Sequence, residues 1–451
     1  MAEKDHPDHI DRADLTFCRN EFPALNQTVN GHPVVFLDGP GGTQVPSSVA
    51  QAVSEYLLSH NANTHGAFRT SHESDAIIER ARAAMAALFG CTPSEVAFGQ
   101  NMSTLNFALS RALGRTIKPG DEVVVTDLDH EANRSPWEAL AEKGAVVKSV
   151  KVNTADCTLD MEDFAAKITP RTRLVAVGWA SNAVGTINDV AAVAKMAHAV
   201  GAAVMVDAVH YAPHEAMDVK AVDCDFLICS AYKFFGPHIG VLYGKREAFD
   251  RLGTYKVRPQ EDHSPFKIET GTLNHEGIAG AGAAVDFIAW LGRRSGGGEG
   301  AGSLASEPAE SPATSPTTAV ATVPTTSAAV PSRRDVLAGM EAIEGYEKPL
   351  ARRLQEGFSA IPGVRVYGLP PAGHRTPTVS ITVSGKSPEE VAAYLASKGV
   401  FVWNGDFYAS TLVERLGLAA SGGLVRFGLA PYNTAGEIEY TLEQVAAASR
   451  A

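Results

Sequence analysis

A lysine lies between two short apolar runs in the stretch FLICSAYKFFGPHIGVLYG, residues 226–244. Residues 226–229 and 239–243 each predict a buried strand, so Lys233 falls on a tight connection between them. An unpaired ammonium is costly in apolar surroundings because burial removes its hydration. Two interpretations follow: a surface turn whose lysine points to water, or a desolvated amine of lowered pKa that suits a Schiff base.

A carboxylate follows another apolar run shortly before this stretch. Residues 202–206 are apolar and run into Asp207, which places this side chain at the C-terminal end of a predicted buried strand. Ligands bind at that edge of open α/β sheets. Pyridoxal 5'-phosphate (PLP) requires a lysine for the imine and an acid that keeps its pyridine nitrogen protonated. Asp207 therefore favours the Schiff-base interpretation of Lys233.

The chain alternates between predicted strands and helices. His130, Asn182 and Asp207 each stand just past an apolar run, and helical stretches such as residues 190–200 lie between such runs. This alternation is typical of an α/β fold with a mainly parallel sheet that is covered on both faces. Near the C-terminus, a long amphipathic helix, two strands and two further helices predict a small α+β domain.

Composition divides the chain into four predicted regions. They are an N-terminal polar arm (1–32), a large domain (33–291), a low-complexity insertion (292–333) and a small C-terminal domain (334–451). The insertion is rich in Gly, Ser, Thr, Ala and Pro. Its bulky apolar content is too low to offset the entropy of ordering, so we predict a disordered surface segment. A docking tether is the alternative, and nothing in the segment favours it.

Charge and cysteine usage limit the partners and the compartment. With 39 basic and 51 acidic residues the formal net charge is −12, which argues against nucleic acid or an anionic membrane as a general partner. No apolar run is long enough to span a bilayer, and the polar N-terminus does not resemble a secretory signal. Five cysteines without paired spacing indicate a reducing cytoplasm and no zinc cluster.

Three motifs occur in a fixed order around the lysine: VDAVHYAPH (206–214), DCDF (223–226) and SAYKFFGP (230–237). Together they resemble the class V aminotransferase family, in particular its cysteine desulfurase and selenocysteine lyase branch. The resemblance extends over about residues 35–291 and from about 333 to the end. It implies a PLP-dependent transferase of fold type I, with a large PLP-binding domain, a small C-terminal α+β domain, an amino acid substrate and a homodimer with shared active sites.

The apolar residues 96–98, the polar stretch GQNMST and a helix from about residue 104 predict a strand, a loop and a helix N-terminus. Such a helix N-terminus binds phosphate, because its free amides and its dipole face the anion. Ser103 could instead simply cap the helix. By resemblance, Met102, Ser103 and Ser230 hold the phosphate. Thr272, in ETGTLNHEG, matches a threonine that reaches the phosphate of the neighbouring subunit's cofactor.

The resemblance also assigns the residues around the cofactor ring. Lys233 carries the cofactor and moves the proton at Cα, and Asp207 keeps the ring an electron sink. His130 matches a histidine that stacks on the ring, although a lone histidine is more often structural. Asn182 matches a residue that hydrogen-bonds the cofactor or its substrate adduct. His210 occupies a position near the ring hydroxyl, where relatives usually carry Gln.

A metal site is the competing interpretation of one of these residues. His210 and His214 are four positions apart, which would suit metal ligands on a helix. They lie in a Pro-containing stretch that leads from a strand into a loop, so we favour the interpretation that these histidines do not bind a metal.

Two segments of the small domain bear on the substrate. In SGGLVRFGLAPYNT (421–434), Arg426 matches an arginine that clamps the substrate α-carboxylate, and its apolar flanks disfavour a surface ion pair. VFVWNGDFYAS (400–410) stands where desulfurases carry an arginine and then the loop with the catalytic cysteine. The match puts Trp403 at the arginine position and Tyr408 at the cysteine position. No cysteine follows Cys229, so the sequence excludes a persulfide on that loop.

Three reactions share the loss of the Cα proton: β-elimination, transamination and epimerisation. Elimination of a sulfur leaving group by a C–S lyase is the preferred hypothesis, because the resemblance is to sulfur-handling enzymes. A class V aminotransferase or epimerase is the alternative. A non-catalytic PLP-binding regulatory protein is an alternative of a different class, which Lys233, Asp207 and Arg426 weigh against and Tyr408 keeps open.

Overall fold

The computed structural model describes residues 14–295 and 329–450. The predicted arm (1–32) and the predicted insertion (292–333) therefore lie partly outside the described residues. The prediction of disorder for the middle of the insertion falls on residues outside these ranges.

The secondary structure alternates between strands and helices, as the apolar periodicity predicted. The strands are Thr28–Val29 (β1), His32–Pro33 (β2), Val35–Phe36 (β3), Val96–Gly99 (β4), Glu122–Thr126 (β5), Val146–Val150 (β6), Val152–Asn153 (β7), Thr158–Leu159 (β8), Thr172–Gly178 (β9), Ala203–Asp207 (β10), Phe226–Ser230 (β11), Gly240–Gly244 (β12), Val364–Tyr367 (β13), Thr378–Val383 (β14), Val400–Phe401 (β15), Trp403–Gly405 (β16) and Leu424–Gly428 (β17). The helices are Ser47–Glu55 (α1), Arg69–Phe89 (α2), Met102–Leu113 (α3), Ser135–Glu138 (α4), Met161–Lys167 (α5), Val190–His198 (α6), Val219–Val222 (α7), Arg246–Arg251 (α8), His275–Ser295 (α9), Arg333–Ala360 (α10), Pro388–Ser397 (α11), Ser410–Arg415 (α12) and Ala435–Arg450 (α13). Across residues 14–295 and 329–450, no helix is long and apolar enough to cross a membrane.

A seven-stranded sheet forms the centre of the large domain, in the order β4-β12-β11-β10-β9-β5-β6. The pairs from β11 to β6 are all parallel, and β12 runs antiparallel to both of its neighbours. Every residue of β5, β11 and β12 is buried. Continuous burial is expected of strands covered on both faces. The predicted α/β class with a mainly parallel sheet is confirmed.

Two separate apolar cores cover the two faces of this sheet. Along β5, Val124 packs into one core, whereas Val123 and Val125 pack into the other. This alternation follows from the two-residue period of a strand. Both faces are therefore closed to ligands, and only the strand ends remain open to them.

Strands β5, β9, β10 and β11 end at the same edge of the sheet because they are parallel. The predicted polar residues His130, Asn182, Asp207 and Ser230 lie at or just past those ends. Lys233 closes a short 3-10 turn, Ala231–Lys233, between β11 and β12. The predicted connection between two buried strands is present, and it faces the same edge.

The small domain is a four-stranded antiparallel sheet, β13-β14-β17-β16, packed on α10, α11 and α13. Strand β3 pairs in parallel with β15, and Val35 and Leu37 belong to the core of this domain. Val34 and Phe36, which point to the other side of β3, belong to the main core. The predicted boundary at residue 33 therefore falls beside a strand that pairs with the small domain and also contacts the main core.

The arm that we predicted to be polar enters the main core. Leu15, Cys18 and Phe22 are buried there, and the Phe22 ring lies 5.4 Å from that of Phe287 and 4.9 Å from that of Tyr432. The three apolar residues share one face of the 3-10 segment Thr16–Glu21 and its flanks. The prediction used the average composition of the arm, which does not reveal the spacing of these apolar residues.

The two helices beside the predicted insertion extend further into it than the composition indicated. Helix α9 continues through Ser295 and helix α10 begins at Arg333, so four residues at the start of the predicted insertion are helical. The helices touch where Gly292 and Gly339 lack side chains, since a Cβ at either would collide with the opposite backbone. Arg293 pairs with Asp335 across the contact at 3.3 Å. The ends of the large and small domains are thus held together directly.

Candidate active site

A cavity of about 1120 Å³ opens at the carboxyl edge of the large sheet, facing β16 and β17 of the small domain. Its wall includes every site residue predicted from the sequence except Thr272. These are Met102, Ser103, His130, Asn182, Asp207, His210, Ser230, Lys233, Tyr408 and Arg426. Residues more than 300 positions apart therefore meet in one space.

Lys233 extends from its turn into this cavity. Its Nζ donates to the backbone oxygen of Pro40 and lies 4.7 Å from the centre of the Tyr232 ring. Burial, and next the positive charge of Arg426, lower the pKa of Lys233 to about 7. A large fraction of the amine is therefore neutral and nucleophilic at neutral pH, which argues against the surface-turn interpretation.

Two carboxyl groups lie together at the floor of the site. Asp207 Oδ1 accepts a hydrogen bond from Val209 N at 2.9 Å, and burial raises the pKa of Asp207 to about 6. Asp129 Oδ1 accepts from Gly178 N at 2.5 Å, while its buried Oδ2 has no partner among the described residues. Burial, and then the charge of Asp207, raise the pKa of Asp129 to about 7. Such a pair fits a positively charged group, such as a protonated ring nitrogen.

Sequence reasoning missed Asp129. The available signal was a carboxylate in TDLDH, three positions after the end of β5 and one position before His130. Only the fold brings it beside Asp207, which lies 78 positions further along the chain.

The N-terminus of α3 forms the opposite end of the cavity. Ser230 Oγ accepts a hydrogen bond from Met102 N at 3.1 Å, and Asn101 Oδ1 accepts from Thr104 N at 2.9 Å. Asn101 is therefore the cap, so the alternative role of Ser103 as helix cap is wrong. Ser103 lies in the exposed first turn and lines the cavity, an arrangement that suits a phosphate.

His130 is held in one orientation at the cavity wall. Its Nδ1 accepts from Ala132 N at 3.0 Å, which leaves the proton of the neutral ring on Nε2. Burial, and next the charge of Lys233, lower the pKa of His130 to about 4. The ring is thus neutral at pH 7 and presents a face that suits stacking on an aromatic ligand.

His210 joins the two domains. Its Nε2 lies 3.1 Å from Thr376 Oγ1 and 2.9 Å from Thr378 Oγ1, both in the small domain. His214 Nδ1 lies 2.9 Å from a carboxylate oxygen of Glu347. The two histidines do not converge on one point, and no group of three or more potential ligands suited to a metal occurs within residues 14–295 and 329–450.

Arg426 is buried at the centre of β17. Its Nη1 donates to the backbone oxygen of Asn182 at 2.9 Å, and its guanidinium carbon lies 4.2 Å from the centre of the Phe407 ring. Its Nε has no partner in the described part of the chain. Burial lowers the pKa of Arg426 to about 9. The alternative of a surface ion pair is wrong, and a buried guanidinium with free donor capacity fits a carboxylate.

The loop at the cavity mouth is tied to the large domain through two backbone oxygens. Asn182 Nδ2 donates to Phe407 O at 2.8 Å, and Glu131 N donates to Tyr408 O at 2.7 Å. Phe407 and Tyr408 both adopt left-handed backbone angles, with φ of 56° and 58°. Asn182 Oδ1 remains buried and without a partner among the described residues, so it is available to a ligand.

All five cysteines belong to the described ranges, and all lie outside the cavity wall. Burial raises the pKa of Cys18 and of Cys91 to about 12, and that of Cys157 to about 11. Cys224 and Cys229 are fully buried, and burial raises their pKa too. A cysteine nucleophile needs an accessible thiolate. None of these five thiols meets that requirement.

Thr272 is the one predicted site residue that the fold keeps apart. It is exposed, precedes α9 and lines a separate cavity of about 200 Å³ with Thr104. Its own chain therefore does not bring it to the large cavity.

Comparison with known proteins gives consistent results for the whole chain. The sequence pattern of the family described as Aminotransferase class-V matches residues 35–295 and 311–441. A probable cysteine desulfurase from Synechocystis sp. is 31% identical over 440 residues, 96% of this chain and 95% of that protein. The apo structure of a cysteine desulfurase from Thermococcus onnurineus covers both chains fully, with a TM-score of 0.81 and 27% identity. A cysteine desulfurase structure from Escherichia coli has a TM-score of 0.77 and 25% identity, and covers 97% of this chain and 98% of the other.

Proposed function

Because this chain belongs to the class V aminotransferase family, has the fold of its PLP-dependent members and uses pyridoxal 5'-phosphate, we propose that it is a C–S lyase. It eliminates a sulfur leaving group from an amino acid and forms no persulfide on the protein. This proposal rests mainly on the composition of the cavity wall. The wall contains Lys233, the carboxyl groups of Asp129 and Asp207, and Arg426, but none of the five cysteines. The similarity to cysteine desulfurases supports sulfur as the leaving atom. The absence of a cysteine from the cavity wall argues against a persulfide on the protein.

The cofactor fits the polar groups that the cavity leaves open. The N-terminus of α3, with Met102, Ser103 and Ser230, would hold the phosphate. Asp207 would hold the ring nitrogen, and the neutral ring of His130 would cover one face of the cofactor. The unpartnered Asn182 Oδ1 and Asp129 Oδ2 are buried acceptors that a bound ligand would satisfy.

When bound, pyridoxal phosphate holds the substrate amine covalently and takes up the electron pair that is released at Cα. Arg426 orients the amino acid by clamping its carboxylate with two parallel hydrogen bonds. Lys233 removes the Cα proton, because its pKa near 7 leaves it mostly neutral in mildly alkaline solution. Asp207 stays charged above pH 6 and keeps the ring nitrogen protonated.

Sulfur leaves directly in this mechanism. The Cβ–S bond breaks, its electron pair departs with the sulfur, and the sulfur takes up a proton to become sulfide or a thiol. One water completes the balance, so the products are the sulfur compound, pyruvate and ammonium. Tyr408, at the cysteine position, forms no persulfide, and it closes the cavity mouth beside His130 at a ring distance of 5.3 Å.

We further propose that the active enzyme is a homodimer. Thr272 is exposed beside α9, outside the cavity of its own chain, which fits a role at the phosphate of a neighbouring subunit. The five free cysteines fit a cytoplasmic enzyme, because a reducing compartment keeps thiols unpaired.

A screen of amino acids with product analysis tests the proposed reaction. Elimination predicts equal amounts of pyruvate and ammonium with release of a sulfur compound. Pyridoxamine phosphate would identify transamination instead, and a racemised substrate would identify epimerisation. A panel in which no amino acid changes the cofactor spectrum would favour a regulatory protein.

The nucleophilic reactivity of the Lys233 amine is expected to depend on pH near neutrality, because only the neutral amine reacts. In cofactor-free protein, the rate at which an amine-selective reagent labels Lys233 should rise with pH through a midpoint near 7. Below that pH the amine is protonated and unreactive, and above it the rate levels off. Peptide mapping by mass spectrometry gives the rate at each pH. A midpoint near the ordinary lysine value of about 10.4 would contradict the buried, desolvated amine.

A further inference from the structure

The carboxylate clamp is flanked by aromatic rings. Trp403 of β16 is paired directly opposite Arg426 of β17, so both side chains project from the same face of the small sheet. The Phe407 ring packs on the guanidinium from the adjoining loop. A substrate held by Arg426 therefore extends along an aromatic wall.

The turn that contains Gly41 holds the Trp403 indole in this wall. A Cβ on Gly41 would collide with the indole Nε1, so the ring edge lies directly against that glycine. The Trp403 side chain is nevertheless 49% exposed and lines the cavity. One edge is fixed, and the rest of the ring is open to a ligand.

Tyr408 supplies a second open ring. It is 69% exposed, lines the same cavity, and its backbone is fixed by the hydrogen bond from Glu131 N. Exposed large aromatic side chains that converge on one cavity mark a ligand surface. Arg426 fixes one end of the substrate, so these rings are positioned for its side chain.

The volume of the cavity supports a bulky substrate. Sites for drug-sized ligands typically enclose roughly 300–1,000 Å³. At about 1120 Å³, this cavity has room beyond that needed for the cofactor and an amino acid as small as cysteine. Free cysteine would also leave both exposed rings in water.

We propose that the substrate is an S-substituted L-cysteine whose sulfur carries an aromatic or similarly bulky apolar group. This inference rests on the proposed C–S lyase function and specifies its substrate class. Arg426 holds the α-carboxylate, and Trp403 with Tyr408 covers the group on sulfur. The Cβ–S bond breaks and its electron pair leaves on the sulfur, which is protonated to the thiol. Water supplies the oxygen of pyruvate, ammonium leaves, and no oxidant or reductant is consumed.

Steady-state kinetics on a matched series tests this substrate class. S-benzyl-L-cysteine, S-methyl-L-cysteine and L-cysteine share the same amino acid end. The kcat/KM for the benzyl compound should exceed that for the methyl compound at least about tenfold, the size expected for one to two aromatic contacts. Equal kcat/KM values across the series would overturn the inference.

Variants of the aromatic wall distinguish a loss of side-chain recognition from a general loss of structure. Trp403→Ala should raise KM for S-benzyl-L-cysteine about tenfold and change that for S-methyl-L-cysteine less than about twofold. Trp403→Phe should keep most of the preference for the benzyl compound. Gly41→Ala should raise KM for S-benzyl-L-cysteine as Trp403→Ala does, because the added Cβ displaces the indole. Tyr255→Ala is the matched control, because Tyr255 is 63% exposed but packs on Arg115 outside the cavity.

Binding of a non-reactive analogue separates this inference from the proposed reaction. In 2-amino-5-phenylpentanoate a methylene replaces the sulfur of S-benzyl-L-cysteine. If it binds tightly and Trp403→Ala weakens it, while no compound yields pyruvate, the aromatic recognition stands and the lyase function fails. If pyruvate forms but Trp403→Ala lowers the affinity for benzyl and methyl compounds equally, the lyase function stands and this inference fails.

Discussion

Replacing Lys233 by alanine is expected to abolish the visible absorption band of the purified protein and to lower turnover about 10⁴-fold or more. The reason is that Lys233 is the one lysine that the described residues place in the cavity wall, and burial lowers the pKa of its amine to about 7. Under the proposed mechanism, the variant loses both the covalent anchor of the cofactor and the base that moves the Cα proton. An absorption spectrum and a product assay measure the two effects separately.

Lys245→Ala provides a matched control for this variant. Lys245 pairs with Asp223 at 2.5 Å outside the cavity, so its removal should leave band and turnover unchanged. Borohydride reduction followed by peptide mapping identifies the lysine that carries the cofactor. Recovery of the cofactor on another lysine in Lys233→Ala would show that the assignment is wrong.

Changing Asp207 to asparagine is expected to lower turnover on the order of 100-fold or more while part of the cofactor remains bound. The amide keeps the shape of the carboxyl group and can still accept from Val209 N. It carries no charge, so the ring nitrogen loses its proton and becomes a poor electron sink. Single-turnover rates with a fixed amount of bound cofactor measure the loss.

The pH dependence of cofactor binding gives a second readout for Asp207. Burial raises the pKa of Asp207 to about 6, so its carboxylate is present above that pH and is lost as the pH falls below it. Cofactor affinity of the unmodified protein should therefore weaken as the pH falls through about 6, and Asp207→Asn should lack this step. Asp225→Asn is the control, since Asp225 pairs with His198 outside the cavity. Near-normal turnover of Asp207→Asn would exclude the proposed role.

Much of the fold followed from local sequence patterns. Short apolar runs marked the strands, and the polar residues after them marked the ligand edge, because parallel strands end together. His130, Asn182 and Asp207 could therefore be grouped from the sequence alone. Helix ends were less well defined: α3 begins at Met102 rather than at about 104, because Asn101 supplies the cap.

Contacts between distant segments could not be predicted in this way. The pairing of β3 with β15 joins residues 35–36 to 400–401, and no local pattern encodes it. The contact of Trp403 with Gly41 has the same origin, since the two residues are far apart in the chain. Both contacts depend on how distant segments of the chain pack together.

The buried N-terminal segment shows a different limit. Leu15, Cys18 and Phe22 are spaced so that a short helical turn brings them onto one face, but most residues between them are polar. The average composition of the arm is therefore polar, and it predicted that these residues are exposed to solvent. Cys18 is a core residue rather than a solvent-exposed thiol.

Elimination without a protein persulfide is the central claim, and product analysis combined with intact-protein mass spectrometry tests it most directly. The enzyme is incubated in parallel with L-cysteine and with S-benzyl-L-cysteine. We predict pyruvate and ammonium in equal amounts with sulfide or benzyl thiol, and a protein mass unchanged by added sulfur. Formation of alanine from L-cysteine, with a stoichiometric persulfide on one required cysteine, would contradict the claim.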